Sequence, residues 1–172
     1  PTTVVRLFNT VGPRQTGRYG MVLPSFVGQA LRGAPLTVFG TGKQSRDFTY
    51  IDNVVSANIL AATAPGIKHE VFNVANGEDH TVLELGDVLN RIIGKDVKPV
   101  LKPKRAGDVF RTNADIAKIK TQLGWAQRIN FEEGVRRILD NIEYWRTAPL
   151  WDSETIAKAT RMWFEMLSSK GR

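Results

Sequence analysis

The sequence has no cysteine and only two histidines, His69 and His80. Without thiols there is neither a disulfide scaffold nor a thiolate metal site, a usage that suits a reducing compartment. The two imidazoles stand apart with no ligand spacing around them, so no metal centre is expected. No apolar run approaches the roughly 18 residues needed to span a bilayer, and no basic-then-apolar leader opens the chain. A cytoplasmic location is the expectation. Acidic residues are the scarcer charge, 17 against 24 Lys and Arg, giving a net charge of +7 and a pI near 9.9. Such an excess suits a nucleic acid, an anionic membrane surface, or a phosphorylated small molecule. The cations are spread singly, with short clusters only at 102–105 and 136–137. No zinc-finger spacing, basic zipper or aromatic-studded RNA motif accompanies them, so neither nucleic acid nor membrane is an expected partner. A more acidic partner half would also balance the charge.

What is present is ordinary globular material: 172 residues, 42% hydrophobic and 24% charged. That length buries one sizeable core. Strand and helix signals alternate throughout, which defines an α/β class. Residues 3–8 read as a strand, and 22–32 as a helix with Val22, Phe26, Val27 and Ala30 on one face and Pro24 in its first turn. Residues 35–40 and 46–51 read as extended segments on either side of a Gly-Thr-Gly turn. Asp52 is expected to cap a helix carrying Val54, Val55, Ile59 and Ala62, stopped by Pro65-Gly66. In the second half, 70–75 reads as a buried strand and 97–102 as a short one. Thr81 with Glu84 forms a capping box ahead of Val82, Leu85, Val88, Leu89 and Ile92. Residues 115–123 form a short helix ended by Gly124, over Trp125 as packing. Asn130 with Glu133 opens a helix bearing Phe131, Val135, Ile138, Ile142 and Trp145. A last helix, about 153–168, carries Ile156, Ala159, Trp163 and Met166.

One stretch carries chemistry on its own. In VFGTGKQSRDFTYIDNV (38–54), Gly40 and Gly42 permit tight turns, and Arg46 follows on an extended segment. A guanidinium held beside a glycine turn suits a diphosphate. A surface turn with an exposed arginine fits the same residues.

The order of several motifs is more specific. RLFNTVGPRQ (6–15), GMVLPSFVGQAL (20–31), LTVFGTGKQSRDFTYIDNVV (36–55), FNVANGE (72–78), RAGDVFRTNADIAKIKTQLGW (105–125) and FEEGVRRIL (131–139) occur in register. Together, over about residues 3–146, they resemble the carboxyl-terminal half of the extended short-chain dehydrogenase/reductases. The likeness is to NAD-dependent nucleotide-sugar epimerases and dehydratases of the UDP-glucose 4-epimerase type, with UDP-glucuronate decarboxylases and dTDP-sugar dehydratases nearby. The resemblance implies the last strands of a Rossmann-type parallel sheet plus a small α/β substrate-binding domain. It further implies NAD as the family's cofactor and a UDP-sugar as ligand, and 147–172 reads as a C-terminal helical extension beyond the likeness.

Site roles follow by matching motifs. Asn9, Gly20, Met21 and Val22 would meet the sugar and diphosphate. Thr10 and Val11 would pass the nicotinamide, while Thr37 and Phe39 would edge the base. Arg46 and Arg105 would clamp the diphosphate, and Asp108 would hold the ribose hydroxyls. Phe48 departs from the galactose epimerases, which carry Tyr there. Bland readings compete: Phe39 as core, Asp108 as a turn residue, Arg105 and Arg14 as solvated cations, and Asn73 as a strand end.

The family's Gly-x-x-Gly-x-x-Gly fingerprint and Tyr-x-x-x-Lys pair are missing from these residues. Tyr19, Tyr50 and Tyr144 are followed four positions on by Leu23, Val54 and Ala148. The expectation is therefore half an enzyme, with no catalytic residue of its own and no tight NAD binding alone. A stand-alone nucleotide-sugar-binding or interaction module is the alternative reading. A bare sheet surface implies self-association or a complementary amino-terminal half as partner.

Overall fold

The computed structural model describes residues 2–15 and 21–147, together with residues 154, 157, 158, 160–162, 165 and 166. Strand β1 (Val4–Leu7) leads into the two-residue β2 (Thr10–Val11), and helix α1 (Val22–Leu31) follows. Next come β3 (Leu36–Phe39), β4 (Ser45–Arg46), β5 (Thr49–Tyr50), α2 (Ile51–Thr63), β6 (Val71–Val74), β7 (His80–Thr81) and α3 (Val82–Ile93). The chain continues through β8 (Pro99–Lys102), β9 (Arg111–Thr112), α4 (Ala117–Leu123), α5 (Phe131–Leu139) and α6 (Ile142–Thr147). Parallel pairing dominates: β1 with β6, β2 with β5, β3 with β8, and β4 with β9. Among the described residues only β4 with β7 is antiparallel. Parallel neighbours require long crossovers, and the helices between them supply these, as an α/β fold demands.

Two apolar clusters form the core. The larger joins α1, β3, α3 and α5, with Phe26, Val27, Leu36, Leu85, Leu89, Val135, Ile138 and Trp145 fully buried. α1 is its axis, buried continuously from Leu23 to Ala30. α3 packs against it from a reciprocal cap. The Glu84 amide donates to the Thr81 hydroxyl (3.1 Å), and the Thr81 amide donates to the Glu84 carboxylate (2.7 Å). The smaller cluster joins α2, β6 and α4 around Phe72, Val74, Ile119 and Trp125. Trp125 packs just past Gly124, which ends α4 at φ 60°, and its indole N–H donates to Ser56 (3.0 Å).

A buried polar seam lies where the clusters meet. Asn53 accepts from the amides of Arg128 (2.9 Å) and Ile129 (3.1 Å) and donates to the Ile129 carbonyl (2.7 Å). Asn76 donates to the Phe48 carbonyl (2.8 Å). Asp47, fully buried, accepts from the amides of Asn76 (2.8 Å), Gly77 (3.0 Å) and Ala114 (3.5 Å). Burial nevertheless pushes its carboxyl above the ordinary aspartate value.

Several expectations need correction. β1 and β6 pair as neighbours, but they are not buried on both faces. Val4 and Val71, which pair in the ladder, are 47% and 39% exposed, and Leu7 is 48% exposed. The 46–51 stretch is not one strand, since Asp47 turns inward between β4 and β5. α2 begins after Tyr50 with no side-chain cap, and Asp52 lies in its first turn, facing Arg137 (3.4 Å). Its buried stripe is Asn53, Val54 and Ala57, leaving Val55 and Ile59 outside, because the seam fixes Asn53 inward. The helix expected across 131–145 breaks after Leu139, although Trp145 still folds back and donates to the Ile138 carbonyl (3.1 Å). Met166 is exposed. Tyr19, Gly20, Ile156, Ala159 and Trp163 lie outside the described residues.

Candidate functional site

A cleft of about 300 Å³ opens beside α1. Asn9, Thr10, Val11, Met21, Val22, Thr37, Phe39, Arg46, Arg105 and Asp108 all line it, so every described residue expected at the site shares one cavity. Gly20 is outside the described residues.

Local structure explains each placement. Asn9 ends β1 in a left-handed conformation (φ 30°), which asparagine tolerates better than most residues. Its amide donates to the Asp47 carbonyl (3.2 Å) and the Thr112 hydroxyl (2.9 Å), so it ties the first loop to β9. Gln29 on α1 accepts from the Thr37 amide (2.9 Å) and donates to the Thr37 hydroxyl (3.1 Å), pinning β3 to the helix. Gln44 donates to the Phe39 carbonyl. The intervening Gly40-Thr41-Gly42 turn presses onto α3. A Cβ at Gly42, already at φ 76°, would sit 2.6 Å from the Leu83 side chain.

Arg46 is steadied by a carboxylate behind it. Asp79 receives the Ser45 hydroxyl, the Arg111 guanidinium (3.0 and 2.8 Å) and the Asn113 amide (3.0 Å). The Arg111 hydrogen bonds hold the Asp79 carboxyl down at about 2. β4 is thus stapled between β7 and β9, and Arg46 projects from it at the cleft.

The two arginines do not stand free in the cleft. Arg46 pairs with Asp108, and Arg105 lies over the Phe39 ring with its guanidinium carbon 3.6 Å from the ring centroid. Burial pushes the Arg105 guanidinium below the ordinary arginine value. Asp108 also closes a turn, its amide donating to the Arg105 carbonyl (3.4 Å). Phe39 is half-exposed wall rather than core. Phe48, by contrast, is 4% exposed and stacks on Phe131 at 5.5 Å. Asn73 sits within β6 and donates to the Asp115 carbonyl (3.1 Å). Arg14 is exposed, and its carbonyl accepts from the Tyr144 hydroxyl (3.2 Å).

Sequence reasoning missed five lining residues of note. Gln29 and Gln44 hold the walls. Ser25 Oγ and Gln15 Oε1 are buried atoms with no partner among the described residues. Ser25 and Gln29, polar residues inside the mostly apolar 22–31 segment, were the available signal. Thr160, 2% exposed, also lines the cleft. Among the described residues there is no cluster of three metal-ligating side chains, and no helix is long and apolar enough to cross a membrane.

The parallel α/β fold that carries this cleft has counterparts among known proteins. The chain belongs to the GDP-mannose 4,6-dehydratase family, whose model matches residues 1–138. UDP-glucuronic acid decarboxylase 1 of Arabidopsis thaliana is 36% identical over 138 residues, which are 80% of this chain and 31% of that protein. The UDP-glucose 4-epimerase of Thermotoga maritima, solved with UDP-glucose, superposes with a TM-score of 0.76 at 40% identity, covering 82% of this chain and 45% of that one. The UDP-glucuronic acid 4-epimerase of Bacillus cereus, solved with UDP-glucuronic acid and NAD, gives 0.76 at 32% identity with the same coverage. The chain therefore spans about a third to a half of the length of these relatives, and its fold is part of a Rossmann-type NAD-dependent epimerase fold.

Proposed function

We propose that the cleft binds a nucleoside diphosphate sugar, a UDP-sugar foremost, and that residues 1–146 are the substrate-gripping half of an NAD-dependent epimerase or dehydratase, extended by 147–172. The convergence of two arginines, an aspartate and an aromatic wall in one cavity of about 300 Å³ carries this reading. Arg46 and Arg105 hold the diphosphate, a task suited to planar, permanently charged donors. Phe39 and Thr37 border the base, and Asp108 takes the ribose hydroxyls. Asn9, Met21 and Val22 face the sugar and diphosphate. Binding-derived positioning of this kind is a large share of what such enzymes require.

NAD supplies hydride transfer when bound in the family, but the residues here offer it only one wall. Thr10 and Val11 line the cleft, yet both are laddered to Thr49 and Tyr50. The glycine that follows is not a phosphate cradle, since a Cβ on Gly12 would stand 2.7 Å from the Ile51 side chain. The sequence holds no Tyr-x-x-x-Lys pair, so the family's base for moving a hydroxyl proton is not among these residues.

Calorimetry with UDP, UMP and uridine tests the ligand class. UDP is expected to bind best, and Arg46→Ala to weaken it about tenfold or more at low salt, from the loss of one charge-assisted contact. Equal affinity for UDP and uridine would remove the clamp. Incubating the chain with NAD and UDP-glucose is expected to yield neither UDP-galactose nor a keto-sugar above a boiled control, and turnover would relocate the catalytic centre.

A further inference from the structure

Arg105 reaches the aromatic wall by a short path. Strand β8 ends at Lys102, whose register partner across the ladder is Phe39 itself. Three residues later the turn closed between Asp108 and Arg105 folds the guanidinium back over the Phe39 ring. At 3.6 Å from guanidinium carbon to ring centroid, the two groups are in contact and admit no third flat group between them. One face of the Phe39 ring is therefore covered by a side chain of the same protein. Arg46 is occupied in parallel, by Asp108.

We propose that Arg105 is the selectivity element of this cleft: it covers the stacking face of Phe39 until a diphosphate draws the guanidinium away, so that base stacking is conditional on the diphosphate. The inference rests on the nucleotide-sugar reading above. Bidentate charge-assisted bonds to a diphosphate are stronger than a guanidinium–ring contact, so a diphosphate ligand recovers what it displaces. An uncharged nucleoside has nothing to give Arg105 in exchange and must unstack it without compensation. Removing the Arg105 side chain should then move two affinities in opposite directions. A residue that merely touched phosphate would lower UDP binding and leave uridine unaffected.

The experiment measures uridine and UDP binding to the full chain and to Arg105→Ala by calorimetry. It also follows the Arg105 side-chain protons of the unaltered protein by NMR. The expected result is uridine binding about three- to tenfold tighter in Arg105→Ala, with UDP binding at least about fivefold weaker. In the free protein the Arg105 δ-protons should be shifted upfield by the Phe39 ring, and saturation with UDP should abolish that shift. Unchanged or weaker uridine binding in the variant overturns the proposal while leaving the nucleotide-sugar reading intact, and so does a free protein with no upfield shift. If neither UDP nor uridine perturbs any resonance of the unaltered protein, the nucleotide-sugar reading fails and this inference falls with it.

Discussion

Asp79 and Asp47 are both carboxylates held by donors, yet their pKa values move in opposite directions. Asp79 is bound by a guanidinium, a hydroxyl and an amide, which hold it at about 2, below the ordinary 3.8. A carboxyl depressed on folding contributes stability above its unfolded value, and that contribution is lost as pH falls from about 3.8 towards about 2. Asp79→Asn should therefore lower Tm at pH 7, with the gap to the unaltered protein closing across that acid window. A gap that stays constant from pH 6 to pH 2 would mean the carboxylate is not what matters. Asp47 meets only backbone amides inside the seam, and burial outweighs them. Neither role was legible from residue type. An aspartate between Arg46 and Phe48 reads as surface charge until β6 and β9 arrive from far along the chain. The motif order singled out Arg46, Arg105 and Asp108, which line one cleft, but their present partners were not legible. Local spacing carries no record of which groups meet across the fold.

Helices with self-contained signals were readable, and those set by tertiary contacts were not. α3 needs only Thr81, Glu84 and its apolar stripe, all within its own sequence, and it forms as that pattern dictates. Thr81→Ala removes one side of the reciprocal cap and should cost about 1 kcal/mol in a urea titration, with the slope unchanged. No loss would mean that packing against α1 alone sets the start of α3. α2 shows the opposite case. Its apolar residues suggested a stripe through Val55 and Ile59, but Asn53 is bound on both ends of its amide and fixes the helix rotation. A helix with two candidate faces is decided by its most demanding buried group, and here that group is polar.

At the scale of the molecule, Val4, Leu7, Val55, Ile59 and Val71 leave apolar side chains in water along β1, β6 and α2. Exposed apolar groups so concentrated favour association, against the repulsion of a +7 charge. Sedimentation at rising protein concentration should show mass increasing for the unaltered chain and less so for a Leu7→Lys, Ile59→Lys double variant. A monomer at every concentration, indifferent to the double change, would show that these side chains need no cover. The bond from Asn9 to Thr112 has a different consequence. It closes a span of 103 residues, and the β3–β8 and β4–β9 ladders are likewise non-local. Loop closure on that scale is paid entropically before any contact rewards it, so chains of such topology fold slowly. The cleft has no early, local precursor: no short peptide cut from this sequence can carry it, and its ligand can act on the chain only after the distant ends have met.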